Sequence, residues 1–235
     1  MEYIIIIVIS LIAIIILKRG LNVHIKDIQK IKEIGYSKEL NEIGNKFPEN
    51  KEICKEILNE LKNNNVVIEE SKETKTSLYI AITNKIIIAD IKDTFTRIQT
   101  IAHECLHSIQ NRNILLFNFI YSNFFILYFI AAIFLIFFHV GSSILYIQIF
   151  SILAIIYITV RMYLENEAMS KAYYVAKDYM EKVKLQNTNI TEEDVKVLLN
   201  NFEKLNKIGI PLTNFQLVAI NLLKVIILSI IALVI

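Results

Sequence analysis

The chain has 235 residues, a length suited to one domain of ordinary size. It is 54% apolar, and the apolar residues are gathered in blocks, which excludes a soluble core as the whole account. A net charge of +2 with no basic run gives no footprint for nucleic acid, and two cysteines, Cys54 and Cys105, give no disulfide framework.

Only 5 Gly and 2 Pro predict long, uninterrupted helices. The first apolar block, "YIIIIVISLIAIIIL" at 3–17, is followed at once by Lys18 and Arg19. Glu2 stands where a signal peptide carries lysines, and no small-residue cleavage site follows, so 1–19 reads as an uncleaved transmembrane anchor.

Residues 20–113 read as a cytoplasmic α+β segment. Ile25, Ile28, Ile31 and Ile34 predict one amphipathic helix within 22–46, suited to a membrane surface. "ENKEICKEILNEL" (49–61) predicts a helix with Ile53, Ile57, Leu58 and Leu61 on one face and Asn50 as its cap. "VVIEE" (66–70), "SLYIAI" (77–82) and "KIIIAD" (85–90) predict short strands with a turn near Thr83 and Asn84. A helix then opens near Asp93 or Thr94 and carries "TIAHECLHSIQ" (100–110). Ile98, Ala102, Leu106 and Ile109 line one side of it, and Thr96, Thr100, His103, His107 and Gln110 another.

Apolar blocks at 114–138 and 141–160 predict a transmembrane hairpin over 114–160. In 161–213, also read as cytoplasmic, helix runs on through "RMYLENEAMSKAYYVAKDYMEKVK". A new helix starts at Thr191, with Asp194 completing a capping-box-like start. Residues 214–235 predict a last transmembrane helix. Lys224 near its middle is expected inside the bundle or stretched toward water, with a substrate path as the alternative. Between the first and second blocks lie 16 Lys and Arg, and between the third and fourth lie 8. The positive-inside rule makes both loops cytoplasmic and puts both termini outside. The abundance of Ile, Lys and Asn fits an AT-rich bacterial genome.

Histidines four apart on a helix lie about 40° apart around it and about 6 Å along it, so His103 and His107 can converge on one ion. Catalytic zinc takes three protein ligands and keeps an open position. Glu104 is placed to act as general base on water there, which is the mechanical content of H-E-x-x-H. No histidine follows in "SIQNRN", so the third ligand has to be an acid from elsewhere. Glu165 and Glu167 in "YLENEAMSKA" stand out, because the hairpin returns them to the interface where His107 leaves it. Residues two apart point about 200° apart, so only one of the pair faces the ion.

"TIAHECLHSIQ" resembles the A-H-E-x-G-H-x-x-Q stretch of the bacterial membrane neutral zinc metallopeptidases. "ENEAM" at 165–169 is similar to that family's later E-F-D-A-S and, more distantly, to the E-x-x-A-D of HtpX-type and CAAX prenyl proteases. Leu106 stands where the family has Gly, and Met169 where its second motif ends in Ser. The resemblance implies His103, His107 and Glu165 as the ligands of one Zn2+, Glu104 as the catalytic base, and Glu167 at a variable position. It also implies a multi-pass protein of the bacterial plasma membrane.

The expected fold is that of a mainly α membrane protein. It has about four transmembrane helices plus a small cytoplasmic α+β zincin-like part with a short β-sheet. The expected function is an integral membrane zinc-dependent endopeptidase working near the cytoplasmic surface on peptides or membrane proteins. "SLYIAI" or "KIIIAD" would pair with extended substrate. The alternative is a non-catalytic zinc-binding scaffold. The lipid bilayer is the other expected partner, and nucleic acid is not one.

Overall fold

Backbone in hydrocarbon has to satisfy its own hydrogen bonds, so long apolar stretches form helices. The computed structural model describes residues 1–74 and 76–235. The described residues form eight helices and three strands. In chain order these are α1 (Glu2–Gly20), α2 (Ile25–Gly35), α3 (Lys38–Gly44), α4 (Asn50–Glu60), β1 (Val67–Ser71), β2 (Leu78–Ile80), β3 (Lys85–Ala89), α5 (Arg97–Ile109), α6 (Arg112–Phe137), α7 (Ser143–Gln186) and α8 (Glu192–Val234). Among them, α1, α6, α7 and α8 are long and apolar enough to cross a membrane. The chain is mainly helical, with a small three-stranded sheet.

The chain divides into two compact units. One comprises Met1–His24, Phe117–Tyr163 and Pro211–Ile235. Aromatic packing organises its core. Phe125 stacks on Phe150 and on Tyr157, each at 4.9 Å between ring centroids, and Ala132, Ile147, Ala154 and Leu228 fill the space around them. Buried phenols need acceptors, and Tyr121 and Tyr128 donate to the carbonyls of Leu153 (3.0 Å) and Tyr146 (3.2 Å). The Lys224 ammonium lies over the faces of Phe125 (5.1 Å) and Phe129 (5.7 Å), a cation–π arrangement inside the bundle. Between α6 and α7 the chain reverses with His139 and Gly141 at positive φ, +55° and +71°.

The other unit comprises Ile25–Leu116 and Leu164–Ile210. In its sheet β3 is central, parallel to β1 and antiparallel to β2. Ile86 and Ile88 of β3 are fully buried in a core shared with α4, α5, α7 and α8. Asn84 turns the chain between β2 and β3 at φ +48°, and its side chain accepts from the Tyr79 hydroxyl (2.9 Å) and donates to Asn65 O (3.0 Å).

Several local expectations are corrected. The amphipathic segment is two helices, because Ser37 is extended and its hydroxyl caps α3 at Leu40 N (3.4 Å). Asn50 does not cap α4. Glu49 holds the cap position, and the Asn50 side chain accepts from the buried Arg97 guanidinium (2.9 Å). Helix α5 starts at Arg97, later than 93 or 94. The Thr94 hydroxyl is committed to Ile91 O (2.9 Å) and the Phe95 amide to Asn41 Oδ1 (2.9 Å), bonds that hold the preceding turn. At Thr191 the capping box forms in both directions: Asp194 N donates to the threonine hydroxyl (3.1 Å) and Thr191 N to the aspartate (2.8 Å). The helix it opens does not stop before the last apolar block. It continues as α8 through Pro211, where the ring removes one amide donor and where the two units divide.

Candidate metal centre

The rotation of α5 is set by what it buries. Ile98, Ile101, Ala102, Cys105 and Leu106 enter the core. Ile109, expected on that face, is instead largely exposed at the helix end. Cys105 meets Cys54 at 3.7 Å between sulfurs deep in that core, so neither thiol serves the site. With the apolar face fixed, His103 and His107 share another, their Nε2 atoms 3.0 Å apart and their rings edge to face.

Helix α7 supplies the carboxylate. Leu164, Ala168, Ala172 and Ala176 form a buried stripe at four-residue spacing, and the three alanines let α7 pack closely on the core. Glu165, beside that stripe, reaches the imidazoles with Oε2 at 3.4 Å from His103 Nε2 and 3.7 Å from His107 Nε2. Glu167 points elsewhere, to Lys171 (2.7 Å) and Gln110 (3.0 Å). The structure thus brings His103, His107 and Glu165 together and leaves Glu167 outside the cluster.

The donor set fits a small divalent cation. All three donor atoms lie within 4.8 Å of one another. A tetrahedral ion with bonds of about 2.0–2.1 Å has edges of roughly 3.3–3.4 Å between ligands. The observed separations of 3.0, 3.4 and 3.7 Å average close to that. Three ligands leave one position of such a tetrahedron open. Two imidazoles and a carboxylate suit zinc and other first-row metals alike.

Glu104 lies between the histidines in sequence and is 7% exposed. Burial pushes its carboxyl above the ordinary value, while the neighbouring His103 and His107 and the Tyr79 backbone N–H pull the other way. That amide belongs to β2. β2 is an edge strand, whereas β3 has a neighbour on each side. Of the two strands considered for substrate pairing, only β2 therefore has an open edge. For His107, burial disfavours the charged form, but hydrogen bonds to Glu165 and Gln110 outweigh it and raise its value.

Gln110, expected to be a solvated glutamine with a hydrogen bond near the site as the alternative, is instead half-buried and bonded to both helices of the cluster. Its Oε1 accepts from His107 Nδ1 (2.8 Å), which fixes the tautomer that turns Nε2 toward the cluster. Its amide nitrogen donates to Leu164 O (2.8 Å) and Glu167 Oε2 (3.0 Å), on either side of Glu165. One side chain ties together the two helices that supply the donors. The usable signal was its place three residues after His107, one turn along the same face.

No family model, curated protein or solved structure matches this chain.

Proposed function

We propose that the chain is an integral membrane zinc-dependent endopeptidase, akin to the membrane neutral zinc metallopeptidases that its two motifs resemble. The observation that carries this reading is the meeting of His103, His107 and Glu165 at near-tetrahedral spacing beside a buried glutamate. His103, His107 and Glu165 would hold the ion, leaving room for substrate. Bound there, zinc supplies Lewis acidity toward a peptide carbonyl and toward the attacking water. Glu104 takes the proton from that water and delivers it to the leaving amine nitrogen. Gln110 holds His107 in the required tautomer. An extended substrate adds to the open edge of β2, whose Tyr79 amide already faces Glu104, and the α+β unit works as a zincin-like domain.

His107 precedes the second apolar block by 7 residues, and Glu165 follows the third by 5. With the positive-inside bias, this favours a site at the cytoplasmic face of a bacterial plasma membrane and substrates that are membrane proteins or peptides near it.

The test is Glu104→Gln in the full chain. Hydrolysis of a quenched peptide library or of a co-expressed membrane protein should fall by at least about a hundredfold with zinc content unchanged. Hydrolysis that survives the substitution rules the mechanism out. A non-catalytic scaffold would show no zinc-dependent cleavage in either form.

A further inference from the structure

The unit formed by Met1–His24, Phe117–Tyr163 and Pro211–Ile235 holds a cavity of about 350 Å³ between α1, α7 and α8. Its walls are aliphatic except for three polar side chains, one from each helix: Ser10, Ser151 and Asn221. Each stands near the middle of its apolar stretch, where hydrocarbon offers a polar group no water. Ser10 is 4% exposed and is the one buried residue of α1, and Asn221 is 2% exposed. Two of the three are committed within their own helices. Ser151 Oγ spends its only proton on Ile147 O (2.8 Å) and keeps acceptor lone pairs. Asn221 Nδ2 donates to Leu217 O (2.8 Å), and its Oδ1 accepts from the Lys224 ammonium (3.5 Å). A serine inside a helix can return its proton to the carbonyl four residues back, as Ser122 and Ser229 do here. Ser10 does not, and its hydroxyl bonds to no other described residue.

We infer that this cavity binds a lipid-soluble alcohol, its aliphatic chain along the walls and its hydroxyl at Ser10. A hydroxyl accepts from Ser10, and Ser151 is the acceptor left for its proton. A bare hydrocarbon chain would leave the Ser10 hydroxyl unbonded. The volume falls in the range of small-ligand sites, about 300–1,000 Å³. So do the mostly apolar lining, the few polar groups that orient the ligand, and the setting between helices of a bundle. The inference does not depend on any catalytic activity.

The test uses the full chain in phosphatidylcholine nanodiscs and, as probe, a hexadecanol carrying a photoactivated diazirine and an alkyne. After irradiation, mass spectrometry should place the adducts on the segments of α1, α7 and α8 that line the cavity. Unlabelled hexadecanol should compete about threefold better than hexadecane, the worth of one hydrogen bond in a bilayer. Ser10→Ala should remove that advantage and leave competition by hexadecane unchanged, which a general loosening of the bundle would not do. Val218→Phe, which fills the cavity, should remove the adducts; should that chain fail to fold, Ser10→Ala carries the test alone. Adducts spread over outward-facing residues such as Ile120 and Leu127, or equal competition by the two compounds, overturn the inference and mean that ordinary acyl chains fill the space.

Discussion

Replacing Gln110 by Leu removes three hydrogen bonds at once, to His107 Nδ1 (2.8 Å), Leu164 O (2.8 Å) and Glu167 Oε2 (3.0 Å). The first holds the His107 ring in its metal-facing tautomer, and the other two hold the turn of α7 that carries Glu165. Each such bond contributes about 0.5–1.5 kcal/mol net. Partners of metal-ligating histidines are typically worth ten- to hundredfold in affinity, about 1.4–2.8 kcal/mol. We expect Gln110→Leu to weaken zinc binding within that range, measured by competition with a chromophoric chelator on the purified full chain. The pair Gln110→Glu with Glu167→Gln keeps the acceptor for His107 and restores a donor–acceptor match between the two side chains, so it should lose less affinity than Gln110→Leu. A general structural defect would not give that order. A folded Gln110→Leu protein that binds zinc as tightly as wild type refutes the positioning role.

Arg97 is 2% exposed and donates to Pro48 O, Asn50 Oδ1, Gly44 O and Phe47 O at 2.7–2.9 Å. Arg97→Met strands those acceptors and should cost about 3–5 kcal/mol, seen as a fall of roughly 6–20 °C in the melting temperature of detergent-purified protein. An unchanged melting temperature would mean the loop between α3 and α4 does not depend on this residue. The Asp194 carboxyl meets Lys46 with both oxygens at 2.8 Å. Burial pushes its pKa up, but Lys46 and the Thr191 cap outweigh this and hold it below the ordinary 3.8. A depressed carboxyl stabilises the fold fully above its unfolded value and loses that contribution as pH falls through the folded one. Lys46→Ala should therefore destabilise modestly at neutral pH, by under about 1 kcal/mol for so exposed a lysine. The gap from wild type should close below about pH 4. A gap that persists at low pH would show that the lysine acts through packing and not through charge.

The parts of this molecule legible in its sequence are those governed by local periodicity. Apolar blocks without Gly or Pro become helices whatever surrounds them, and histidines four apart on an amphipathic helix share a face because 3.6 residues make a turn. The carboxylate of Glu165 was reachable through the hairpin and through "ENEAM", in which Ala168 is the small buried residue that lets α7 pack close. What escaped depends on partners distant in sequence. Arg97 reads as a polar residue flanking the motif, and only the carbonyls of the loop after α3 make its burial tolerable. Asn50 has a capping side chain, but Arg97 claims it. The last apolar block, 214–235, reads as a helix of its own, yet α8 runs into it through Pro211, since one missing donor costs less than unpacking the helix on either side.

The central claim is that three side chains from α5 and α7 hold one zinc ion. It is tested most directly by the metal content of the purified full chain, measured by mass spectrometry for wild type and for Glu165→Ala. The account predicts about one zinc per folded wild-type chain and a large loss in the variant, with Glu167→Ala close to wild type. Wild-type protein devoid of zinc after expression in zinc-replete medium, or a Glu165→Ala protein that keeps its zinc, would contradict it.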